Sequence, residues 1–583
     1  MTNGSTVYPV PCSMREADRR ERHTSAQTDA PPGSSGAPER HGASDADAAN
    51  RSHRLRRAGA NVVVRIVGAA VAGIGLDAAF PGLGWWPLAP VSLAMLFLLL
   101  RGQPVALGAM IGMVFGLAFF VPHLSWSGIY VGPVPWLALA YLQALYVAAF
   151  GAVATLVGRW VGTSWLQVLL CAPLWVAQEA ARARTPFGGF PWGRVAFSQA
   201  DGPAVGWAWV GGAPMVTFVI ATAGALTGVA ALRLRSARLS GRGAWRPVAL
   251  LGAAAVLPLA GDPLRTAGQE APQDQVTVSA VQGNVARPGL DFNAERRAVL
   301  GNHVKGTLAL ADDVKSGRLP APDVVLWPEN SSDIDPTRDS QAAAEITLAA
   351  AAVGVPVVVG AVLSEPAPNV SNSTLVWSPT GQVTARYDKH RPVPFAEYVP
   401  YRSFFRTFST AVDLVRSDFA AGSGPNIVQA GPVRLGVAIC FEVAFDDQLR
   451  TAVRQGAQVL FVPTNNATFG RTDESVQQLA MSRLRAVELG RPVAHVSTVG
   501  VSALIRPDGS FVGKGGHFTS EVLSASLPLP TNSTPALRLG PVLELAIIAA
   551  GFAIPAVMAI RGARLRNGRR ALRSGPGPAR IEG

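Results

Sequence analysis

Three short segments place reactive side chains directly after strand-like runs. The carboxylate Glu329 follows one run in "VVLWPEN", the ammonium Lys389 follows another in "ARYDKH", and the thiol Cys440 follows a third in "VAICFE". A positioned carboxylate can move protons, an ammonium can stabilise a developing negative charge, and a thiolate is a strong nucleophile. Each residue alone has an ordinary explanation, because strand-end carboxylates and lysines are usually solvated and a strand-end cysteine usually fills space. Only their combination points to covalent chemistry at a thiol.

The chain contains few cysteines, so the position of Cys440 at a strand end calls for an explanation. The chain of 583 residues has three cysteines, Cys12 in a polar tail, Cys171 in an apolar run and Cys440 in a later, globular stretch. Such different settings do not indicate a disulfide framework. The sequence also has no metal-ligand spacing and no phosphate-binding glycine loop, so we expect no cofactor and no metal.

The stretch from 274 to 528 alternates strand-like and helical patterns. Its strand-like runs are "QVTVSAVQGN", "DVVLWPE", "VPVVVGAVL", "STLVWSP", "VRLGVAIC", "AQVLFVPTN" and "PVAHVSTVG". Helical patterns such as "ESVQQLAMSRLRAVELG" lie between them. This alternation predicts an α/β domain whose sheets are covered by helices and whose functional groups lie on loops at strand ends.

The remaining chain has the composition of a membrane protein. Hydrophobic residues make up 49% of the sequence, charged residues 15%, and the mean hydropathy is +0.25. About 20 apolar residues are needed to cross a bilayer. Eight apolar runs are candidates for such helices, at 60–80, 83–100, 104–122, 135–157, 164–181, 205–232, 246–261 and 539–560.

The distribution of arginine predicts how these helices are oriented. The net charge is +13, but the arginines concentrate in the tails and in short loops, and no nucleic-acid-binding motif accompanies them, so we expect no nucleic-acid partner. The predicted segments are a disordered basic cytoplasmic tail, seven transmembrane helices, an extracytoplasmic catalytic domain, a final transmembrane helix and a basic cytoplasmic tail. Their predicted bounds are 1–58, 59–262, 263–535, 536–560 and 561–583.

One loop departs from this charge rule. It covers 182–203 and carries Arg182, Arg184 and Arg194 on the predicted outer face. We expect these arginines to have another task, such as binding lipid phosphates.

Longer motifs around the three reactive residues give a resemblance to a known family. The order Glu, Lys, Cys resembles the catalytic triad of the nitrilase (carbon–nitrogen hydrolase) superfamily. "WPEN", "YDKHRPVPFAEYVP", "ICFE", "LAMSRLRAVELGRPVAHVSTVGVSALI" and the membrane segment "GGFPWGRVAFSQ" resemble its apolipoprotein N-acyltransferase branch. The resemblance covers roughly residues 60–560. It implies a polytopic helical membrane domain of about eight helices joined to an α-β-β-α sandwich.

The resemblance also implies roles for named residues. Glu329 is the expected base, Cys440 the nucleophile, and Lys389 the group that stabilises the oxyanion. The backbone N–H of Phe441 is a second candidate donor to the oxyanion, and Glu397 and Glu442 are expected to support Lys389 and the cysteine loop. Further candidates for contacts with substrates or loops are Phe190, Trp192, Tyr398, Asn465 and Phe469.

The implied reaction moves a fatty acyl chain from a membrane phospholipid, through a cysteine thioester, to an amine. The implied acceptor is the α-amino group of the diacylglyceryl-cysteine that begins a diacylated lipoprotein. We expect a monomer in the plasma membrane of a bacterium. Two alternatives are a membrane-tethered amidase that hydrolyses its thioester with water, and a non-catalytic transporter or scaffold. The few ionisable residues within the apolar runs, such as Glu179 and Glu544, speak against a transport pathway.

Overall fold

Helices form most of the first half of the chain and its end. A computed structural model describes residues 42–161, 164–240, 244–267, 274–285 and 296–573. The α-helices in these ranges are α1 (Gly42–Asp77), α2 (Leu88–Leu100), α3 (Val105–His123), α4 (Pro133–Val161), α5 (Ser164–Arg182), α6 (Ala208–Ser240), α7 (Trp245–Leu259), α8 (Arg296–Lys315), α9 (Ser340–Val353), α10 (Arg402–Arg406), α11 (Asp446–Arg454), α12 (Glu474–Leu489) and α13 (Pro535–Arg573).

Each of the eight predicted apolar runs contains a helix, α1 to α7 and α13. Six helical segments in the described residues are long and apolar enough to cross a membrane. Helix α2, with 13 residues, is about 20 Å long, whereas the hydrocarbon layer is about 30 Å thick. Helix α5 falls outside the six because its 19 residues include Gln167, Gln178, Glu179 and Arg182. The polytopic helical membrane part is therefore confirmed, with six spanning candidates where eight were predicted.

The prediction of disorder in the N-terminal tail needs correction at its end. Residues 1–41 lie outside the described residues, but the backbone of 42–58 belongs to α1. Alanine and arginine, which are frequent in this stretch, are strong helix formers, so a polar composition does not prevent a helix. At the other end of the chain, α13 continues to Arg573, beyond the predicted limit of residue 560.

The α/β part contains two six-stranded sheets. Along the first sheet the strand order is β12 (Glu521–Pro528), β1 (Gln275–Gln282), β2 (Val324–Leu326), β3 (Val357–Leu363), β4 (Ser371–Trp377) and β5 (Val383–Asp388). Along the second it is β11 (Phe511–Lys514), β10 (Ala503–Ile505), β9 (Val493–Ser497), β8 (Val459–Thr464), β7 (Val433–Val437) and β6 (Ile427–Ala430). All seven predicted strand-like runs contain a strand.

The two sheets pack face to face and helices cover their outer faces. Val278 and Val358 of the first sheet share a buried core with Val437 and Phe461 of the second. Helices α8 and α9 pack on the outside of the first sheet, and α11 and α12 pack on the outside of the second. This is the predicted α-β-β-α sandwich. Strands β1, β2 and β3 are parallel, as are β7, β8 and β9, so loops at their carboxyl ends can converge on one site.

Candidate active site

The carboxylate of Glu329 is held just beyond β2. Its Oε1 accepts a hydrogen bond from Nδ2 of Asn372 at 2.7 Å, and its Oε2 accepts one from the backbone N–H of Asn465 at 2.9 Å. A Cβ on Gly360 of β3 would lie 2.2 Å from the carbonyl oxygen of Pro328. Only glycine allows β3 to pass so close to the Glu329 backbone, so this contact fixes where the carboxylate emerges.

The Lys389 ammonium lies between two carboxylates. Strand β5 ends one residue before it, and the side chain is only 2% exposed. Its Nζ is 3.3 Å from Oε1 of Glu329 and 3.0 Å from Oε1 of Glu397. Burial opposes the charge, but the carboxylates of Glu397 and Glu329 outweigh it and raise the pKa of Lys389 above its usual value. The lysine is therefore a cation at any physiological pH.

Glu397 completes a compact charged group. Its Oε1 accepts from Lys389 and also from Nδ2 of Asn372 at 2.9 Å, while its Oε2 accepts from the backbone N–H of Val393 at 2.7 Å. Asn372 therefore bridges the carboxylates of Glu329 and Glu397, and Lys389 lies against the same two oxygens. This arrangement holds the lysine in one position.

The thiol of Cys440 projects from a strained turn. Strand β7 ends at Val437, and Cys440 begins a short 3₁₀ turn, Cys440–Ala444, with a φ of +52°. A left-handed conformation at a residue other than glycine costs about 1 kcal/mol or more, and such strain concentrates at functional sites. Burial and the negative charge of Glu329 raise the pKa of the thiol well above its usual value, while the positive charge of Lys389 opposes this rise. The resting group is thus a neutral thiol beside a carboxylate and an ammonium.

Glu442 ties the cysteine turn to the lysine loop. Its Oε2 accepts from the backbone N–H of Ile439 at 2.8 Å. Its Oε1 accepts from the backbone N–H groups of His390 at 2.8 Å and Arg391 at 3.0 Å. The Tyr387 hydroxyl donates to the same carboxylate at 2.9 Å. Burial raises the pKa of Glu442 to about 7. One carboxylate thus sets the spacing between the two loops that carry Cys440 and Lys389.

A stack of aromatic rings joins the cysteine turn to the membrane part. The ring of Phe441 stacks on Phe190 with centroids 5.5 Å apart and on Trp192 at 6.3 Å. Both partners come from the segment between α5 and α6. Trp126, which follows α3, contacts Trp192 at 5.1 Å and the ring of Phe469 at 5.0 Å. The residue beside the thiol is therefore packed against a loop between membrane helices.

The other predicted site residues lie around the same centre. Asn465 contacts Glu329 through its backbone, as described above. Tyr398 is half-buried in the loop after Glu397, and its carbonyl oxygen accepts from the backbone N–H of Phe395 at 2.7 Å. In the ranges that the structure describes, no three His, Cys, Asp or Glu side chains gather where they could hold a metal ion.

Comparison with known proteins fits this geometry. Residues 72–226 match the family profile described as the apolipoprotein N-acyltransferase N-terminal domain, and residues 307–533 match the carbon-nitrogen hydrolase profile. An apolipoprotein N-acyltransferase of Mycolicibacterium smegmatis is 41% identical over 523 residues, covering 85% of this chain and 84% of the relative. The chain belongs to the apolipoprotein N-acyltransferase family. Another family member, from Azotobacter vinelandii, is 30% identical, covering 85% of this chain and 93% of the relative.

Among solved structures, an amidase of the nitrilase superfamily from Nesterenkonia covers 46% of this chain and 96% of its own, with 19% identity and a TM-score of 0.34. Family membership makes the chain a membrane-embedded N-acyltransferase with a carbon–nitrogen hydrolase domain.

A second buried charge cluster in this acyltransferase joins the membrane helices to the α/β part. Arg194 lies 2.5 Å from Asp446 of α11 and 3.6 Å from Glu544 of α13. Arg485 of α12 is 2.9 Å from Asp446, and it donates to the carbonyl oxygens of Val443 at 3.0 Å and Ala444 at 2.9 Å in the cysteine turn. The interface ion cluster consists of Glu179, Arg184, Arg194, Asp446, Arg450, Arg485, Glu488 and Glu544.

This burial corrects, for Arg182 and Arg194, the expectation that the arginines of loop 182–203 bind lipid phosphates. Arg194 is buried against protein carboxylates, and the buried Arg182 donates to the carbonyl oxygens of Phe190 and Trp192. Arg184 pairs with Glu544 at 2.7 Å. The acidic partners Asp446 and Glu544 lie more than 200 residues further along the chain, so no local sequence pattern predicts these ion pairs.

Three amide side chains of the acyltransferase site escaped the sequence analysis. Asn372 bridges the two carboxylates, Gln478 of α12 donates to the sulfur of Cys440 at 3.4 Å, and Asn466 contacts Gln478. For Asn372 a signal exists, since "SNST" puts four polar residues at the start of a strand that is buried throughout. A buried run of polar residues needs hydrogen-bond partners. Gln478 lies in an ordinary helix and has no such signal.

Proposed function

We propose that this acyltransferase moves a fatty acyl chain from a membrane phospholipid to the α-amino group of a diacylglyceryl-cysteine, through a thioester on Cys440. The observation that carries the proposal is the stack of Phe441 on Phe190 and Trp192. It places the nucleophile's neighbour against a loop between membrane helices, where a lipid ester can reach the thiol. Acyl chains that stay in the bilayer avoid a cost of about 0.8 kcal/mol for each CH₂ drawn into water.

In the first half-reaction, Glu329 accepts the proton of the Cys440 thiol as the sulfur attacks the ester carbonyl. The oxyanion that forms is stabilised by the Lys389 ammonium and by the backbone N–H of Phe441. The carbon–oxygen bond of the ester then breaks, and Glu329 returns the proton to the departing alkoxide. The products are a thioester on Cys440 and a lysophospholipid.

In the second half-reaction, the neutral α-amine of the acceptor attacks the thioester carbonyl. Glu329 accepts a proton from the amine, Lys389 again faces the oxyanion, and the carbon–sulfur bond breaks. The sulfur leaves as a thiolate and regains its proton from Glu329. Glu397 holds Lys389, and Glu442 holds the cysteine turn, so both act as positioning residues in this scheme.

A labelled acyl donor tests the covalent step. Membranes containing the enzyme, incubated with phospholipid labelled in its acyl chains, should acquire label on Cys440 that hydroxylamine removes. Cys440→Ser should carry no hydroxylamine-sensitive label. Cys171→Ser is the matched control, because Cys171 is fully buried in α5, and it should label as the wild type does. Absence of label on the wild-type enzyme would reject the thioester mechanism.

The fate of the acyl group separates transfer from hydrolysis. Mass spectrometry of a lipoprotein N-terminus should show a third acyl chain only when the active enzyme is present. Free fatty acid accompanied by an unchanged diacylated N-terminus would instead identify a lipid hydrolase. We favour transfer because the chain belongs to the apolipoprotein N-acyltransferase family.

We also propose that the segments follow one another in the predicted order, in the plasma membrane of a bacterium. The α/β domain then lies outside the cytoplasm. We further propose that the enzyme acts as a monomer. Support comes from the arginine-rich loops expected on the cytoplasmic side. In a cysteine-free background, Ser316→Cys, exposed after α8, should react with a membrane-impermeant maleimide in intact spheroplasts. Reaction only after lysis would refute the orientation. Light scattering of the detergent-purified enzyme would test the monomer.

A further inference from the structure

The sulfur of Cys440 has a hydrogen-bond donor outside the Glu-Lys-Cys group. Nε2 of Gln478 lies 3.4 Å from Sγ, and the Gln478 side chain is fully buried on the inner face of α12. The preceding residue of the helix, Gln477, accepts a hydrogen bond from the indole N–H of Trp192 at 2.7 Å. Helix α12 therefore presents one amide to the membrane loop and the adjacent amide to the thiol.

The direction of the bond to sulfur is fixed by a chain of hydrogen bonds that begins at the backbone. The N–H of Gly500 donates to the Ser497 hydroxyl oxygen at 2.8 Å, so the hydroxyl hydrogen is free to donate to Oδ1 of Asn466. The Asn466 amide must then direct its Nδ2 to Oε1 of Gln478, at 3.1 Å. This in turn leaves Nε2 of Gln478 facing the sulfur.

The second hydrogen of Asn466 Nδ2 is used as well. It is donated to Oε2 of Glu474 at 2.6 Å. Burial, the largest influence, and the nearby negative charge of Glu329 raise the pKa of Glu474 to about 8. When it is ionised, Glu474 is one of the groups that raise the pKa of the Cys440 thiol, after burial and Glu329. Both donors of the Asn466 amide are satisfied in the orientation that the chain requires.

We propose that Gln478 is a catalytic residue that stabilises the Cys440 thiolate by donating a hydrogen bond to sulfur, with Ser497 and Asn466 as positioning residues that fix the direction of this bond. The inference rests on the proposed thioester mechanism, in which the sulfur carries negative charge twice. It is the attacking thiolate in the first half-reaction and the leaving thiolate in the second.

A donor to sulfur helps at both points. Hydrogen bonding to the charged form lowers the pKa of the thiol and increases the thiolate fraction. Nucleophilicity falls by less than this gain, since its dependence on pKa has a slope of about 0.4–0.5, and a thiolate of lower pKa also leaves faster. Glu329 and Glu397 leave one of the three N–H donors of Lys389 free, and the proposed mechanism directs that donor to the carbonyl oxygen. Gln478 thus acts on the sulfur while Lys389 acts on the carbonyl oxygen.

The test measures the thiol itself and not acyl transfer. The purified full-length enzyme with Cys12→Ser and Cys171→Ser is alkylated with iodoacetamide across a pH series, and the rate profile gives the apparent pKa of Cys440. Gln478→Met keeps length and burial but has no donor. It should raise this pKa by about one unit, which lowers the thiolate fraction roughly tenfold at a given pH below it. Gln429→Leu, at an exposed glutamine of β6, is the control and should leave the profile unchanged.

Ser497→Ala provides an independent arm that leaves Gln478 in place. It removes one of the two hydroxyl donors to Oδ1 of Asn466, the other being Thr464 at 3.1 Å. It should therefore raise the thiol pKa by a smaller amount, and it provides the test if Gln478→Met does not fold. A profile that superimposes on the wild type in a folded variant would overturn the proposal. Because alkylation needs no lipid, this result is separate from any failure of N-acylation, which would instead count against the proposed function.

Discussion

Two buried clusters of charged side chains in this enzyme differ in how their charges balance. In the interface ion cluster, four arginines face four carboxylates, and every member pairs with at least one opposite charge. In the reactive centre, the carboxylates of Glu329, Glu397 and Glu442 surround the single ammonium of Lys389. The first cluster joins structural elements, and the second carries a thiol.

The difference shows in the proton affinities of one carboxylate from each cluster. Burial alone would raise the pKa of Asp446, but Arg194, Arg485 and Arg450 outweigh it and hold the pKa well below its usual range. Burial dominates at Glu442, whose pKa rises to about 7 in spite of Lys389 and the backbone donors. The carboxylate in the balanced cluster stays ionised near neutral pH. The carboxylate in the unbalanced cluster can accept or release a proton there. Only the second property serves acid–base catalysis.

The largest expected effect comes from removing the one cation of the reactive centre. Lys389→Met leaves the Glu329 and Glu397 carboxylates facing each other and takes the main donor away from the oxyanion. Labelling of Cys440 by acyl-labelled phospholipid should fall roughly 1000-fold. Lys315→Met, at an exposed lysine in α8, should label normally. Labelling of the Lys389 variant above a tenth of the wild-type rate would show that this cation is not part of the reaction.

Breaking the balance of the interface ion cluster should mainly reduce stability. Glu488→Gln removes the carboxylate that pairs with Arg450, while Arg485 keeps Asp446, at a cost of about 3–5 kcal/mol. The midpoint of thermal unfolding in detergent, followed by tryptophan fluorescence, should fall by about 2–4 °C. Acyl-enzyme formation at low temperature should stay within a few fold, because Arg485 still holds the cysteine turn.

The control for that change is Glu345→Gln. Glu345 lies 3.7 Å from Arg297 in a partly exposed pair, and such pairs contribute about 0–1 kcal/mol. If both variants lower the unfolding midpoint equally, the buried ion pairs of the interface ion cluster stabilise the fold no more than a partly exposed pair does. If Glu488→Gln abolishes labelling without changing the midpoint, the two clusters are not separate in function.

A smaller effect concerns the pH dependence of stability, which should have opposite signs for the two carboxylates. Asp446 has a depressed pKa, so its contribution is present above about 3.8 and is lost as the pH falls below that value. Glu442 has a raised pKa, so its contribution is fully present below about 4.5 and is lost as the pH rises through about 7. Unfolding midpoints measured from pH 3 to 8 should therefore lose their acid-side fall in Asp446→Asn and their neutral-side fall in Glu442→Gln. Parallel curves for the two variants would contradict this assignment.

Much of the architecture could be predicted from local patterns. The eight apolar runs became helices, and the strand-like runs before Glu329, Lys389 and Cys440 became strands whose following residues converge on one site. Apolar periodicity reports burial, and burial decides where helices and strands form. Four strands escaped the prediction: β6, β10 and β11 have only three or four residues each, and β12 is only partly buried along most of its length.

Pairings over long sequence distances could not be predicted. Arg194 meets Asp446, Asn372 meets Glu329, and Gln478 meets Cys440. A polar residue within an element shows that a partner is needed but does not show which one. For Arg182 and Arg194, charge alone suggested lipid phosphate, whereas their burial requires carboxylates or carbonyl groups of the protein.

The bonds of Glu442 have a consequence for the newly made enzyme. Glu329 and Lys389 follow strands of one sheet, and Cys440 follows a strand of the other, with Glu442 joining the two loops. Until the sheets have docked, the cysteine has neither its base nor the cation that lowers its proton affinity, and it behaves like any other thiol. The base, the cation and the thiol are therefore assembled into one site only when the two sheets are docked.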